Sequence, residues 1–488
     1  MQITLFSEKL MIATKSFGAQ AEVRHTTAPF RICSPLTYEV SCKLPIHPAF
    51  LLCLVLADHS LWTWLTTRSM LVFVVGATAL SGATGLDGAR LTSSTLTALS
   101  SFPGAATSST PAFTDRTRIG TLDVPRLAIG TIGWTPEDEA DSARFADVAR
   151  TATAEGLDLF DTAERYGAKG SALIPAALAS LGLPVDKGYL GGDTESRLGT
   201  WMGGRGNVMT KFAPTPWRGD AQSVVDACRG SASRLGCKSV ALMQVHMPDI
   251  IQPFKALGIE NRREEAHWDG LAECYLEGLA ANVGVSNYGP TLLARCQEHL
   301  AKRGVPLASN QIHFNLLYQR PGALATVVAC QELGVTCLAY YPLAMGLLTG
   351  KLTPLGLRGR SDMRSRELLR YLEGGMGGGF PNTAGDIPDG GIRPLLIALQ
   401  EVAARNGRTP AQVSLNWIIC KGALPIAGAK SVQQLRENAG ALGWRLSAND
   451  VALLDAAAAA LPFDFRGTGF QTADSKFVGY GFERWRLD

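Results

Sequence analysis

What this chain lacks narrows it first. Charged residues are only 18% of the 488 positions and the formal net charge is +3, so the basic excess that a phosphate backbone demands is missing and nucleic acid is not expected as a partner. The 10 cysteines include no C-x-x-C pair, so neither a metal site nor a stapled secreted framework is expected, and a reducing compartment fits better. No apolar run reaches the roughly 20 residues that span a bilayer. The two longest candidates, AFLLCLVLA (49–57) and MLVFVVGATAL (70–80), are separated by polar residues including Asp58, His59 and Arg68, so contact with a membrane is not favoured. Acids are absent between Asp87 and Asp115, where Ser and Thr are abundant. That is the composition of an organelle transit peptide, with an unstructured tail or an incorrect gene start as the alternative.

What is present begins after residue 115. Eight short apolar, β-branched runs end in polar residues: PRLAIGT (125–131), LDLFDT (157–162), NVMTK (207–211), ALMQVH (241–246), NVGVSN (282–287), ASNQIHF (308–314), TCLAYYP (336–342) and ALPIAG (423–428). Between them lie helical patterns such as DSARFADVARTATAEG, AQSVVDACRGSASRLG, TLLARCQEHLAKRG and RPLLIALQEVAARNG, each closed by glycine. Eight strand-then-helix units predict an α/β fold of the (β/α)8 TIM barrel type. A doubly wound sheet would want G-x-G-x-x-G after its first strand, and none follows. The expected organisation is an N-terminal extension over 1–115, a barrel over 116–465 and a C-terminal tail over 466–488.

In such a barrel the chemistry sits where the strands end. Asp161 closes the second run, Tyr166 follows in its loop, Lys211 closes the third and His246 the fourth. A carboxylate, a phenol, an ammonium and an imidazole at neighbouring strand ends predict a proton-transfer site. A tyrosine ordinarily titrates near ~10, and a nearby ammonium lowers that by favouring the phenolate. Lys211 is expected to do so, with Asp161 holding the lysine charged. His246 can donate a hydrogen bond to a carbonyl oxygen. No side chain supplies hydride, so a nicotinamide cofactor is implied. Taken singly, each residue has a plainer meaning: Asp161-Thr162 as a helix cap, Tyr166 as a half-buried loop aromatic, Lys211 as a solvated lysine and His246 as a structural histidine. Their convergence favours catalysis.

The ordered motifs F-D-T-A-E-R-Y-G, T-K, L-M-Q-V-H-M-P-D, V-G-V-S-N-Y, S-N-Q, A-Y-Y-P-L-A-M-G-L-L-T-G-K and P-I-A-G-A-K-S-V-Q-Q-L-R-E-N resemble the aldo-keto reductases over roughly 118–462. The segments WDGLAECYLEGLAANVGVSNYG (268–289) and GLRGR (356–360) make the plant and algal plastid branch the nearest likeness, and with it a chloroplast location. The resemblance implies a catalytic tetrad of Asp161, Tyr166 as general acid, Lys211 and His246. It implies that Ser286, Asn287 and Gln311 hold the nicotinamide carboxamide and that Tyr340 stacks on the ring. Gly428, Ala429, Lys430, Gln434, Glu437 and Asn438 would surround the adenosine end. Lys430 beside a ribose 2′-phosphate favours NADPH over NADH. Leu343, Gly346 and Lys351 fall in the loop laid across the pyrophosphate, although a lysine there can equally be solvated.

Two segments depart from the family pattern. Residues 168–192 are longer than usual and border the expected substrate pocket, as a modified lid or a retained intron. The glycine-rich stretch YLEGGMGGGFPNTAGDIPDGG (371–391) lacks helical periodicity and reads as a loop. Two other functions remain open beside an NADPH-dependent carbonyl reductase: a non-catalytic NADPH-binding regulatory subunit of the same fold, and a Schiff-base aldolase using Lys211. A small carbonyl compound is the expected substrate; oligomeric state is not legible.

Overall fold

The computed structural model describes residues 115–167, 193–215, 218–249, 263–319, 322–360, 363–375 and 386–463. The expected extension (but for Asp115), the 168–192 insertion and the 466–488 tail lie outside the described residues.

A short hairpin opens the described chain, β1 (Arg116–Ile119) and β2 (Leu122–Pro125), paired antiparallel. The barrel strands follow: β3 (Ala128–Gly130), β4 (Leu159–Asp161), β5 (Asn207–Phe212), β6 (Leu242–Val245), β7 (Val283–Ser286), β8 (Leu307–His313), β9 (Thr336–Tyr340) and β10 (Leu424–Gly428). Each pairs parallel with its neighbour, and β10 closes the cylinder by pairing with both β9, Leu424 opposite Leu338, and β3, Ile426 opposite Ala128. The chain therefore forms the closed (β/α)8 barrel, and every expected run overlaps one of its strands, with β5 extending one residue past its run and β8 beginning one residue before its own. Strands β4, β6, β7 and β8 are buried along their whole length. That is why none of them shows the alternation of a half-wet strand: a parallel sheet wrapped by helices has no wet face, and β8 buries even Ser309, Asn310, Gln311 and His313.

Helices complete the units: α1 (Glu139–Ala154), α2 (Asp193–Met202), α3 (Ala221–Leu235), α4 (Glu264–Leu276), α5 (Pro290–Ala301), α6 (Ala323–Glu332), a one-turn α7 (Pro354–Leu357), α8 (Met363–Glu373), α9 (Arg393–Asn406), α10 (Pro410–Cys420), α11 (Val432–Ala439) and α12 (Ala448–Ala459). Their ends follow from local chemistry. Asp138 and Asp220 cap α1 and α3 through their carboxylates, and Thr409 with Gln412 forms a reciprocal capping box on α10. Gly236 and Gly407 end α3 and α9 at φ +68° and +62°, a conformation that costs a residue with a Cβ.

Two features depart from the sequence reading. Pro125 belongs to the hairpin rather than to the first barrel strand, and the hairpin was not expected at all. It plugs the floor of the barrel: Ile119 and Val124 join Ala128, Leu159, Met209, Leu242, Leu338 and Ile426 in one interior cluster, and the Thr121 N–H donates to Asn282 Oδ1 at 2.9 Å. The stretch from 371 is not loop throughout, since α8 runs on through Tyr371–Glu373 and Gly375 then bridges Ile387. Tyr371 is fully buried, which fixes that last turn by packing despite the glycines that follow. Among the described residues no helix is long and apolar enough to cross a membrane.

Candidate active site

With the floor plugged by the hairpin, the strand C-termini form the accessible rim. Asp161 is the last residue of β4, Lys211 the penultimate residue of β5, and His246 follows the last residue of β6. Tyr166 sits in the tight turn after β4, its N–H donating to Ala163 O at 3.0 Å. The structure brings these together. Lys211 is fully buried, and its Nζ donates to Asp161 Oδ1 at 2.8 Å, to Asp161 Oδ2 at 2.7 Å and to Thr162 O at 2.7 Å, and reaches Tyr166 Oη at 3.4 Å. The rings of Tyr166 and His246 meet edge to face at 6.0 Å between centroids. An amine whose hydrogens are so engaged is ill placed as the nucleophile of a Schiff base.

The electrostatics correct one expectation. The phenol of Tyr166 is not acidified: burial, and then the negative charge of Asp161, push it well above the ordinary tyrosine value. Burial lowers Lys211, with Asp161 opposing the shift through its charge and its hydrogen bond. Burial also drives His246 well below the ordinary histidine value, aided by the charges of Lys211 and Arg165. The resting arrangement is therefore a protonated phenol beside a neutral imidazole. Among the described residues nothing bonds the buried His246 Nδ1.

The second expected group forms a connected lattice on β7, β8 and β9. Tyr340 Oη donates to Asn287 Oδ1 at 2.9 Å. The Asn287 Nδ2 donates to His246 O at 3.1 Å and to Ser286 Oγ at 3.0 Å, and Ser286 Oγ donates to Gln311 O at 2.8 Å. Gln311 is tied further inward than expected, donating to Asp161 Oδ1 at 2.7 Å. Asn287 holds φ +65°, and the other non-glycine residues of positive φ among those described, Tyr341, Ala344 and Met345, all follow β9. Strained backbone concentrates where function does.

The third group lies around β10 and α11. Gly428 ends β10, Ala429 is buried and accepts from the Trp134 indole at 2.8 Å, and Asn438 Nδ2 donates to Gly428 O at 3.2 Å. Gln434 accepts from the Lys430 N–H at 2.7 Å, and Ser431 caps α11. The turn after β9 carries Leu343 and Gly346, the latter at φ +99°. Beyond it Lys351 is exposed and forms an ion pair with Glu437, so two residues expected to contact the cofactor contact each other. The residues here suit a phosphate-bearing group. A Cβ on Gly428 would meet nothing nearer than Gly130 O at 4.0 Å, and one on Gly133 only Lys430 Cε at 3.5 Å, leaving open space beside a helix N-terminus and a lysine. A cavity of about 240 Å³ lies at the opposite end, where Asn207, Val208 and Val240 open β5 and precede β6, and none of the expected site residues lines it.

Sequence reasoning missed residues that the geometry places at the site. Thr131 donates to Asp161 O at 2.9 Å. His313 stacks between Tyr318, at 4.0 Å, and Tyr340, at 5.4 Å. Glu164, in the turn that carries Tyr166, forms a buried ion pair with Arg218. Glu164 lies within the quoted DTAERYG motif, but its partner is 54 residues away and no local pattern announces it.

Comparison with known proteins bears on the family. The chain is 33% identical over 372 residues to a chloroplastic pyridoxal reductase of Arabidopsis thaliana, covering 73% of this chain and 89% of the relative. It is 31% identical over 356 residues to an oxidoreductase of Mycobacterium tuberculosis, covering 70% and 92%. Among solved structures, a glycerol dehydrogenase of Gluconobacter oxydans matches with a TM-score of 0.51 at 19% identity over 71% of this chain and 96% of that one, a likeness of fold. Residues 126–459 match the model of the aldo/keto reductase family; the chain belongs to that family of oxidoreductases acting on carbonyl compounds.

Proposed function

We propose that this chain reduces an aldehyde or ketone to an alcohol with NADPH, with Tyr166 as the proton donor. The observation that carries the reading is the run of contacts from Asp161 through Lys211 to the hydroxyl of Tyr166, ending at 3.4 Å. When bound, the nicotinamide supplies hydride to the carbonyl carbon. Tyr166 keeps its proton, because burial and Asp161 raise its affinity for it, until the carbonyl oxygen gains charge. Lys211 stands where it would stabilise the phenolate left behind, and Asp161 holds Lys211 in place. His246, neutral, has an N–H to orient the carbonyl oxygen.

Ser286, Asn287 and Gln311 would hold the carboxamide, with Tyr340 as the stacking surface. Gly428, Ala429, Lys430, Gln434 and Asn438 would take the adenosine end, and the exposed Lys430 offers a 2′-phosphate a charge-assisted contact that NADH cannot use. Leu343, Gly346 and the Lys351–Glu437 pair would cover the pyrophosphate. The plant relative supports pyridoxal and small reactive aldehydes as first substrates to try, and together with the acid-free Ser/Thr-rich stretch before Asp115 it supports residues 1–115 as a plastid-targeting extension ahead of the barrel.

The test is a carbonyl panel followed by loss of absorbance of the reduced nicotinamide, run on wild type and Tyr166→Phe. Wild type is expected to consume NADPH with some member of the panel, and Tyr166→Phe to bind NADPH with its fluorescence change intact but without turnover. Turnover retained in Tyr166→Phe contradicts the assignment. Tight NADPH binding by wild type with no turnover on any carbonyl would favour the regulatory-subunit reading instead.

A further inference from the structure

The turn that carries Tyr166 is short and its hold on Lys211 is loose, at 3.4 Å. The backbone ladder between β4 and β5 weakens as it passes into that turn: the Thr162 N–H donates to Met209 O at 2.9 Å, the Glu164 N–H to Lys211 O at 3.4 Å. Something besides the ladder must fix where the phenol points. Glu164 lies two residues before Tyr166, and its side chain turns into the barrel wall, where it is 2% exposed. There its Oε1 accepts from the Ala213 N–H at 2.6 Å and from Arg218 Nη1 at 2.6 Å, while Oε2 accepts from Arg218 Nη2 at 3.0 Å. Arg218 Nη1 also donates to Ala213 O at 3.0 Å. The result is a closed ring of contacts joining the residue two before Tyr166 to the residue two after Lys211.

Arg218 is itself fixed from behind. Its guanidinium lies over the Phe212 ring, 4.3 Å from the centroid, and its carbonyl contacts His267 Nε2 at 2.9 Å. A buried ion pair contributes little net stability, because desolvating both charges offsets most of their attraction. What a two-pronged guanidinium–carboxylate contact does supply is a fixed geometry.

We propose that Glu164 and Arg218 are positioning residues: their ion pair sets the Tyr166 hydroxyl against Lys211 and the incoming carbonyl oxygen. The inference rests on Tyr166 being the proton donor. Loss of the pair lets the turn drift while leaving the β7–β10 rim, and hence cofactor binding, untouched.

The test uses the full chain with NADPH and a carbonyl that wild type reduces. Glu164→Gln keeps the volume and an acceptor for the Ala213 N–H but removes the charge. It is expected to bind NADPH like wild type yet to lose about 10- to 100-fold in kcat with little change in KM, the cost of sub-ångström misplacement. Its solvent deuterium isotope effect on kcat should rise, because proton delivery from Tyr166 becomes slower, a change that simple loss of folded protein would not cause. If Glu164→Gln fails to fold, Arg218→Lys, which keeps the charge but gives up the fork, is read in the same way. Asp455→Asn, which breaks the ion pair with Lys421 on the outer helices, controls for loss of an ion pair as such and should leave kcat and the isotope effect unchanged. A folded Glu164→Gln or Arg218→Lys with wild-type kcat, or one whose kcat and NADPH affinity fall together without change in the isotope effect, overturns the brace. An inactive wild type would instead remove the reading of the reaction, and the brace with it.

Discussion

Gln311 on β8 donates its side-chain N–H to Oδ1 of Asp161 on β4 at 2.7 Å, across the barrel from a point 150 residues away in sequence. The same oxygen accepts from Lys211 at 2.8 Å. One carboxylate thus gathers an ammonium from the neighbouring strand and an amide from the far side of the cylinder. Gln311 therefore has a structural tie in addition to the cofactor contact proposed for it.

That tie gives a measurable expectation. Gln311→Leu removes a hydrogen bond to a charged acceptor at a site only 2% exposed, which costs about 1.5–3 kcal/mol. Denaturant unfolding of the protein without cofactor should show the loss as a lower midpoint at unchanged slope. An unchanged midpoint would mean that the contact contributes nothing to the fold.

The buried Lys211 leads to the next. Asp161→Asn leaves an ammonium with no exposure facing a neutral amide, and stripping one partner from a buried pair costs about 3–5 kcal/mol. Combining Asp161→Asn with Lys211→Met removes both charges, so stability should recover in large part while turnover stays absent. Equal instability of the single and double variants would show that the pair matters for something other than charge compensation.

The barrel was legible because its strands are buried over most of their length, so most leave a compact apolar run that local reading can find, β8 with Ser309, Asn310 and Gln311 being the most polar. The tetrad was legible because its members end such runs. The floor hairpin was not, since Arg116–Ile119 carries two arginines and is half-exposed over much of its length, so it shows no apolar run. The state of the Tyr166 phenol is not legible from neighbouring charge alone: Lys211 stands beside it as expected, yet burial, and then the charge of Asp161, raise it. The Glu164–Arg218 pair, joined over 54 residues, is visible only once the strands lie side by side.

Close packing of the outer helices sets a third expectation. A Cβ on Gly270 of α4 would stand 2.5 Å from Ala221 O and 2.7 Å from Val224 Cβ, both on α3. Since Ala221 O is backbone, the helices must separate to admit a methyl group. Gly270→Ala should destabilise by about 1–3 kcal/mol with little effect on kcat of the folded fraction. The helix propensity gain of alanine, about 1 kcal/mol, works in the opposite direction, so a stabilised variant would show that the helix contact yields readily.

The histidines give a pH dependence whose sign can be worked out. Burial lowers both His246 and His267 below their ordinary value of 6.5, more strongly for His246. Below pH 6.5 the unfolded chain therefore takes up protons that the native state refuses, and stability falls as pH falls. A site whose native form stays neutral throughout contributes a loss of about 1.4 kcal/mol by pH 5.5 relative to neutral pH. His246→Gln should flatten the difference between unfolding free energies at pH 7.5 and 5.5 by up to that amount, and His267→Gln by less. A parallel expectation holds for turnover. With the imidazole neutral and Tyr166 holding its proton beyond the ordinary tyrosine range, neither group should produce a limb in the carbonyl-reduction rate between pH 6.5 and 9. If His246→Gln retains the full wild-type pH dependence of stability, His246 titrates normally in the native protein and the neutral hydrogen-bond donor assigned to it must be abandoned.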